Sequence, residues 1–126
     1  MEIKLTLGEV LNLNHVLKLI IDDSELTIDS LFKFKLLGIM KSMETLVANF
    51  ETIRNEKIKQ YGKQAEDGSV NIPPEDKEAI RKFNDDLIEL INSEAVVNIT
   101  KFKANDVFDK GVKAEYLIVL YPIIEE

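Results

Sequence analysis

The residues able to do chemistry are few, and their spacing does not gather them. The single histidine, His15, stands between Asn14 and Val16 in an apolar stretch, and the chain holds no cysteine and no second histidine with which it could share a metal. As a general base it would need a substrate pocket beside it and a carboxylate to orient it. A packed or surface histidine is the simpler reading. Carboxylates cluster at Asp22-Asp23 with Glu25, at Asp85-Asp86 with Glu89, and at Glu125-Glu126. The first group precedes a helix, the second occupies the solvated face between Phe83 and Leu87, and the third ends the chain, and none follows a calcium-loop pattern. Ser24 and Ser69 lack the glycine-flanked elbow of a nucleophile, and the five glycines form neither a phosphate-cradling loop nor a dinucleotide fingerprint. The absence of cysteine excludes disulfides, thiolate catalysis and cysteine-ligated zinc or iron–sulfur sites. The sequence therefore predicts no enzyme, no cofactor and no metal centre.

What remains is surface chemistry. Arg54, Lys57 and Lys59, with Tyr61 interleaved and Lys63 beyond, form the basic concentration, while Asp85, Asp86 and Glu89 form an acidic one. Both are candidate interaction surfaces. Cations in the last turns of a helix also suit its dipole, and Glu51 and Glu56 dilute the basic patch. A net charge of −7 repels phosphates and anionic lipid, so direct nucleic-acid or membrane binding is not expected. A protein partner is expected instead, with a second copy of the chain as another. The rival reading is an acidic nucleic-acid mimic that fits a basic protein groove, with a small enzyme the less favoured third.

The elements that must position these residues follow from periodicity. Glu2 to Leu7 alternates, which predicts a strand with Ile3, Leu5 and Leu7 on one face, ended by Gly8. From Glu9 the apolar residues crowd too densely for a half-solvated strand, predicting a short helix broken near Asn12 or Asn14 and stopped by Asp22-Asp23-Ser24. Thr27 is placed as the cap of the next helix, with Asp29 in its first turn. Leu36, Ile39, Met43, Leu46, Phe50 and Ile53 then run at three–four spacing to Tyr61, widened by Met40, Val47 and Ile58, and Gly62 is read as a left-handed cap. The near-heptad stripe suits an internal hairpin first and an intermolecular coiled coil second. At ~1.5 Å per residue the helix is longer than the ~35 Å diameter of a compact domain, so it must bend, with Gly38 the weak point, or project.

Glu66 to Ser69 reads as a turn and Val70 to Ile72 as a short extended piece. A second helix opens at Pro74 or Glu75 and carries Ile80, Phe83, Leu87, Leu90 and Ile91 back along the first. Ala95 to Phe102, rich in β-branched residues, predicts a strand pairing with Ile3 to Leu7. Ala114 to Tyr121 docks last, as a helix or an extended strip, ended by Pro122. The expected fold is α+β and mainly helical: a long helix and an antiparallel second helix with a small two- or three-stranded antiparallel sheet, in one domain over residues 1–126. Apolar residues at 45% and charged at 31% suit a folded, soluble chain. No membrane span and no secretory signal are read, which predicts a cytoplasmic location.

The order of these landmarks resembles a family of small, uncharacterised proteins encoded by tailed bacteriophages and prophages of Gram-positive bacteria. The likeness rests on Ile3-Lys4-Leu5-Thr6-Leu7-Gly8-Glu9-Val10-Leu11-Asn12, on Lys59-Gln60-Tyr61-Gly62, on Glu66-Asp67-Gly68 and on the tail from Tyr116-Leu117 through Pro122-Ile123-Ile124-Glu125-Glu126. It implies a viral setting, in the host cytoplasm or the virion, and no activity. The functional expectation is a non-enzymatic interaction or structural module: a minor virion or assembly component, or an inhibitor of a host protein.

Overall fold

Alternation at the N-terminus builds strand β1, Glu2–Thr6, and a local signal then ends it one residue sooner than alternation predicts. In the computed structural model the described residues are 2–23, 29–108 and 111–125. Thr6 caps helix α1, Leu7–Asp22. Its hydroxyl accepts from the Glu9 amide at 3.1 Å, and its own amide donates to Glu9 Oε1 at 3.0 Å. This reciprocal pair satisfies donors the first turn would leave open, which turns Leu7 and Gly8 from strand end into helix start. The helix is unbroken, because Asn12 lies exposed and Asn14 half-buried, on turns that solvent can reach. It buries Leu7, Val10, Leu13, Val16, Leu17 and Ile20. At roughly 1.5–3 kcal/mol per buried aliphatic side chain, α1 is a principal source of stability.

Helix α2 spans Ser30–Tyr61. Asp29 is its cap and accepts from the Phe32 amide at 2.7 Å. It is thus not part of the first turn, and Thr27 lies outside the described residues. Thirty-two residues make a rod of about 48 Å. Phe32, Leu36, Ile39, Met43 and Phe50 are buried, while Leu46, Val47, Ile53 and Ile58 are half-buried, so the chain's own elements cover the predicted stripe. The helix ends at Gly62 in extended backbone, φ −89°, and not in a left-handed cap. Glycine is needed there for space: a Cβ would collide with the Ile58 carbonyl and sit 3.0 Å from both Asn71 O and Val70 Cγ1.

The short strands β2, Lys63–Gln64, and β3, Val70–Asn71, pair antiparallel around Gly68, whose φ of +88° requires glycine. Pro73 to Glu75 form a turn closed by the Asp76 amide on the Pro73 carbonyl at 3.0 Å. Helix α3, Lys77–Ile91, therefore starts later than the proline pair suggests, since Asp76 accepts from the Ala79 amide and fixes the start. Tyr61 and Lys57 of α2 meet Asp86 of α3, whereas Phe50 and Leu46 lie near Leu90 and Ser93, so α3 runs antiparallel to α2. Of its apolar row only Leu87 is buried; Ile80, Phe83, Leu90 and Ile91 are half-covered.

Strand β4, Glu94–Asn98, pairs antiparallel with β1, placing Ile3 opposite Val97 and Leu5 opposite Ala95 on the core face. The expected strand to Phe102 is interrupted after Asn98. Strand β5, Phe102–Lys103, runs parallel to β6, Ile124–Glu125, at the end of the chain. Between them lie α4, Ala104–Phe108, and α5, Ala114–Leu120, followed by a 3₁₀ turn over Tyr121–Ile123. Pro122 does not stop the segment but sits inside that turn, where its missing N–H costs nothing. Leu120 and Ile123 are fully buried and anchor the tail. The fold is mainly helical α+β, as the sequence predicts.

Candidate interaction surface

The two charged patches singled out from sequence meet each other. Near the end of α2, Lys57 and Tyr61 lie one turn apart and face α3. The Tyr61 hydroxyl donates to Asp86 Oδ2 at 2.6 Å, and Lys57 Nζ stands 3.2 Å from the same oxygen. The hydrogen bond from Tyr61, then the one from Lys57, holds the Asp86 carboxyl below its ordinary range. The same bond to Asp86, followed by desolvation and the carboxylate's charge, raises the Tyr61 hydroxyl. This clasp ties α3 to α2 where full burial has run out. Asp85 pairs with Arg81 at 3.5 Å, while Arg54, Lys59 and Glu89 are exposed. Three of the seven predicted surface residues are thereby committed to holding the chain together.

His15 lies exposed on α1, so no pocket encloses it. Asp22 is exposed at the end of α1, Asp23 is its half-buried cap, and Glu25 and Glu126 lie outside the described residues. Ser69 is spent in the hairpin turn, where its hydroxyl donates to Asp67 Oδ1 at 2.6 Å and its amide to the same atom at 3.0 Å. Among the described residues no three metal-capable side chains come together, and no buried side-chain N or O atom lacks a partner. Nor, among them, is any helix long and apolar enough to cross a membrane.

The surface that stands out lies elsewhere, on the N-terminal half of α2. Leu31, Phe34 and Leu37 are 65%, 73% and 46% exposed. At ~100° per residue this row centres roughly 190° from the buried row of Phe32, Leu36, Ile39 and Met43. The helix is thus apolar on two opposite faces, and the described residues cover one. On one flank of the outer row a groove of about 560 Å³ runs between α2 and the segment from Asn98 to Phe102. Ile39, Ile99 and Phe102 are buried beneath it, and Phe34, Lys35 and Lys101 stand around it. Phe102 is held from behind by Phe32, ring centroids 5.3 Å apart and tilted 56°. Gly38 also lines it, and a Cβ there would meet nothing within 4 Å. A mid-helix glycine costs about 1 kcal/mol relative to alanine, and here no contact requires it.

Sequence reasoning missed this surface, although a signal was present. Leu31, Phe34 and Leu37 are surplus to the single stripe a half-buried helix needs, and that surplus marks a second face. Compared with protein-family models, with curated proteins and with solved structures, the chain gives no match to any.

Proposed function

We propose that the chain is a non-enzymatic protein-interaction module that receives a protein partner on the outer face of α2. The observation that carries this reading is the exposed row Leu31, Phe34 and Leu37 opposite a fully employed inner row. Covering the part still exposed gains each such side chain about half to three-quarters of the roughly 1.5–3 kcal/mol of full burial, and together they make an anchor of the kind that centres an interface. The likeness of the first strand, the end of the long helix and the tail to small phage proteins supports a viral setting. There the module would serve as a minor virion or assembly component, or as an inhibitor of a host protein, in the host cytoplasm or the particle. Phosphate mimicry has less support, because it needs a row of unneutralised carboxylates, and on α3 Glu78, Asp85 and Asp86 each face a cation.

Affinity capture from a lysate of the source cell, with wild type and a Leu31→Ser/Phe34→Ser variant side by side, tests the reading. Both side chains are exposed, so the variant should keep its melting temperature. The expected result is a protein retained by wild type and released by the variant. Capture indifferent to the two substitutions overturns the proposal.

A further inference from the structure

We infer that the groove between α2 and residues 98–102 takes an acidic peptide segment of the partner, seating one of its apolar side chains over Gly38 between Lys35 and Lys101. The inference rests on the reading of the outer face of α2 as a docking surface, and it adds the chemistry of what docks. Three features carry it. The floor is apolar and fixed, since Ile39, Ile99 and Phe102 are buried and the ring of Phe32 backs Phe102. The space above Gly38 is open, with no atom beyond its chain neighbours and its own helix backbone within 4 Å of the missing Cβ, so a bound side chain supplies the neighbour that this position lacks. The rim is cationic: Lys35 and Lys101 line the groove, no carboxylate among the described residues does, and Lys33 and Lys103 lie close by in sequence.

That last feature decides the occupant. A chain of net charge −7 repels anions on average, so a groove with lysines and no carboxylate is a local reversal of its field. Opposite charges at the rim of an apolar contact set which partner binds and in which register. An apolar residue flanked by Asp or Glu fits this arrangement, while a basic segment meets repulsion from both lysines. The groove volume of about 560 Å³ holds one or two large side chains and leaves the flanking carboxylates at the rim, in reach of the ammonium groups.

The test is selection of a displayed library of random twelve-residue peptides on the immobilised full chain. It is repeated on Phe34→Ser, on Gly38→Leu and on the double reversal Lys35→Glu/Lys101→Glu, each first checked for a melting temperature no lower than that of wild type. The expected pool is rich in Asp and Glu around Leu, Phe or Trp, and its binding disappears on Phe34→Ser and Gly38→Leu. Affinity for the double reversal falls about tenfold or more at low salt, the loss shrinks as salt rises, and that variant selects basic peptides instead. No enrichment, or a pool that is neutral or indifferent to the charge reversal, overturns the inference. If such a pool still depends on Phe34, docking on α2 stands and only the acidic preference falls. If it depends on neither Phe34 nor charge, both readings fall.

Discussion

Replacing Gly38 with alanine should stabilise the protein, and the size of the gain follows from the structure. Gly38 lies in the interior of α2 without a positive φ, and an added methyl would find nothing within 4 Å. Neither backbone strain nor a clash therefore opposes the change. The intrinsic preference of about 1 kcal/mol for alanine over glycine in a helix should appear nearly undiminished. With about 2.1 cal/mol/K of unfolding entropy per residue over 126 residues, 1 kcal/mol raises the melting temperature by about 4 °C. Calorimetry or circular dichroism on both proteins, with matched urea titrations, reads this directly. An unchanged or lowered melting temperature would mean instead that the backbone at Gly38 needs glycine or that the space beside it is already filled. Gly62→Ala should do the opposite, since a Cβ there runs into the Ile58 carbonyl.

The remaining predictions concern the core, the first cap and the clasp. Met43→Ala, at a fully buried position on α2, should cost about 2–5 kcal/mol in urea unfolding. Thr6→Ala removes the capping box of α1 and should cost about 1 kcal/mol, with the loss seen as early amide exchange in the first turn. Asp86 is held below its ordinary value near 3.8, so its contribution is present above that pH and is lost as pH falls through the lower folded-state value. Tyr61 is raised above 10.0, so its contribution is full below that pH and is lost as pH rises through the folded-state value. Melting temperatures of wild type and Tyr61→Phe should therefore differ most between these limits and converge at both extremes of pH.

The buried geometry was the most legible part of the sequence. The spacing of Leu36, Ile39, Met43 and Phe50 reports a helix face because only one face repeats at that period, and the pairing of β1 with β4 follows from alternation in two β-branched or apolar stretches. Boundaries were harder, because a cap is a contest between neighbouring residues. Leu7 continues the alternation of β1, yet Thr6 and Glu9 together outweigh it; Pro74 suits a first turn, yet Asp76 makes the cap. Pairs of two residues, such as β2 with β3 and β5 with β6, carry too little pattern to read. The parallel contact of Phe102 with Ile124 depends on a chain reversal that no local signal encodes. The charged patches were legible as surface chemistry, but sequence does not show that Lys57, Tyr61 and Asp86 face one another. The outer row of α2 went unseen for a related reason: periodicity reveals a buried face well, but it does not say that, among the described residues, no element covers Leu31, Phe34 and Leu37.

Chemical-shift mapping on the isotope-labelled full chain, titrated with the peptide or partner that it retains, shows where on the molecule a partner docks. With docking in the groove on α2, the amides of Phe34, Lys35 and Gly38 and those from Ile99 to Lys101 move together and saturate with one affinity, while His15 and the Tyr61–Asp86 clasp stay where they are. Shifts centred on the clasp, on exposed Arg54 and Lys59, or around His15, with α2 silent near Gly38, would contradict it.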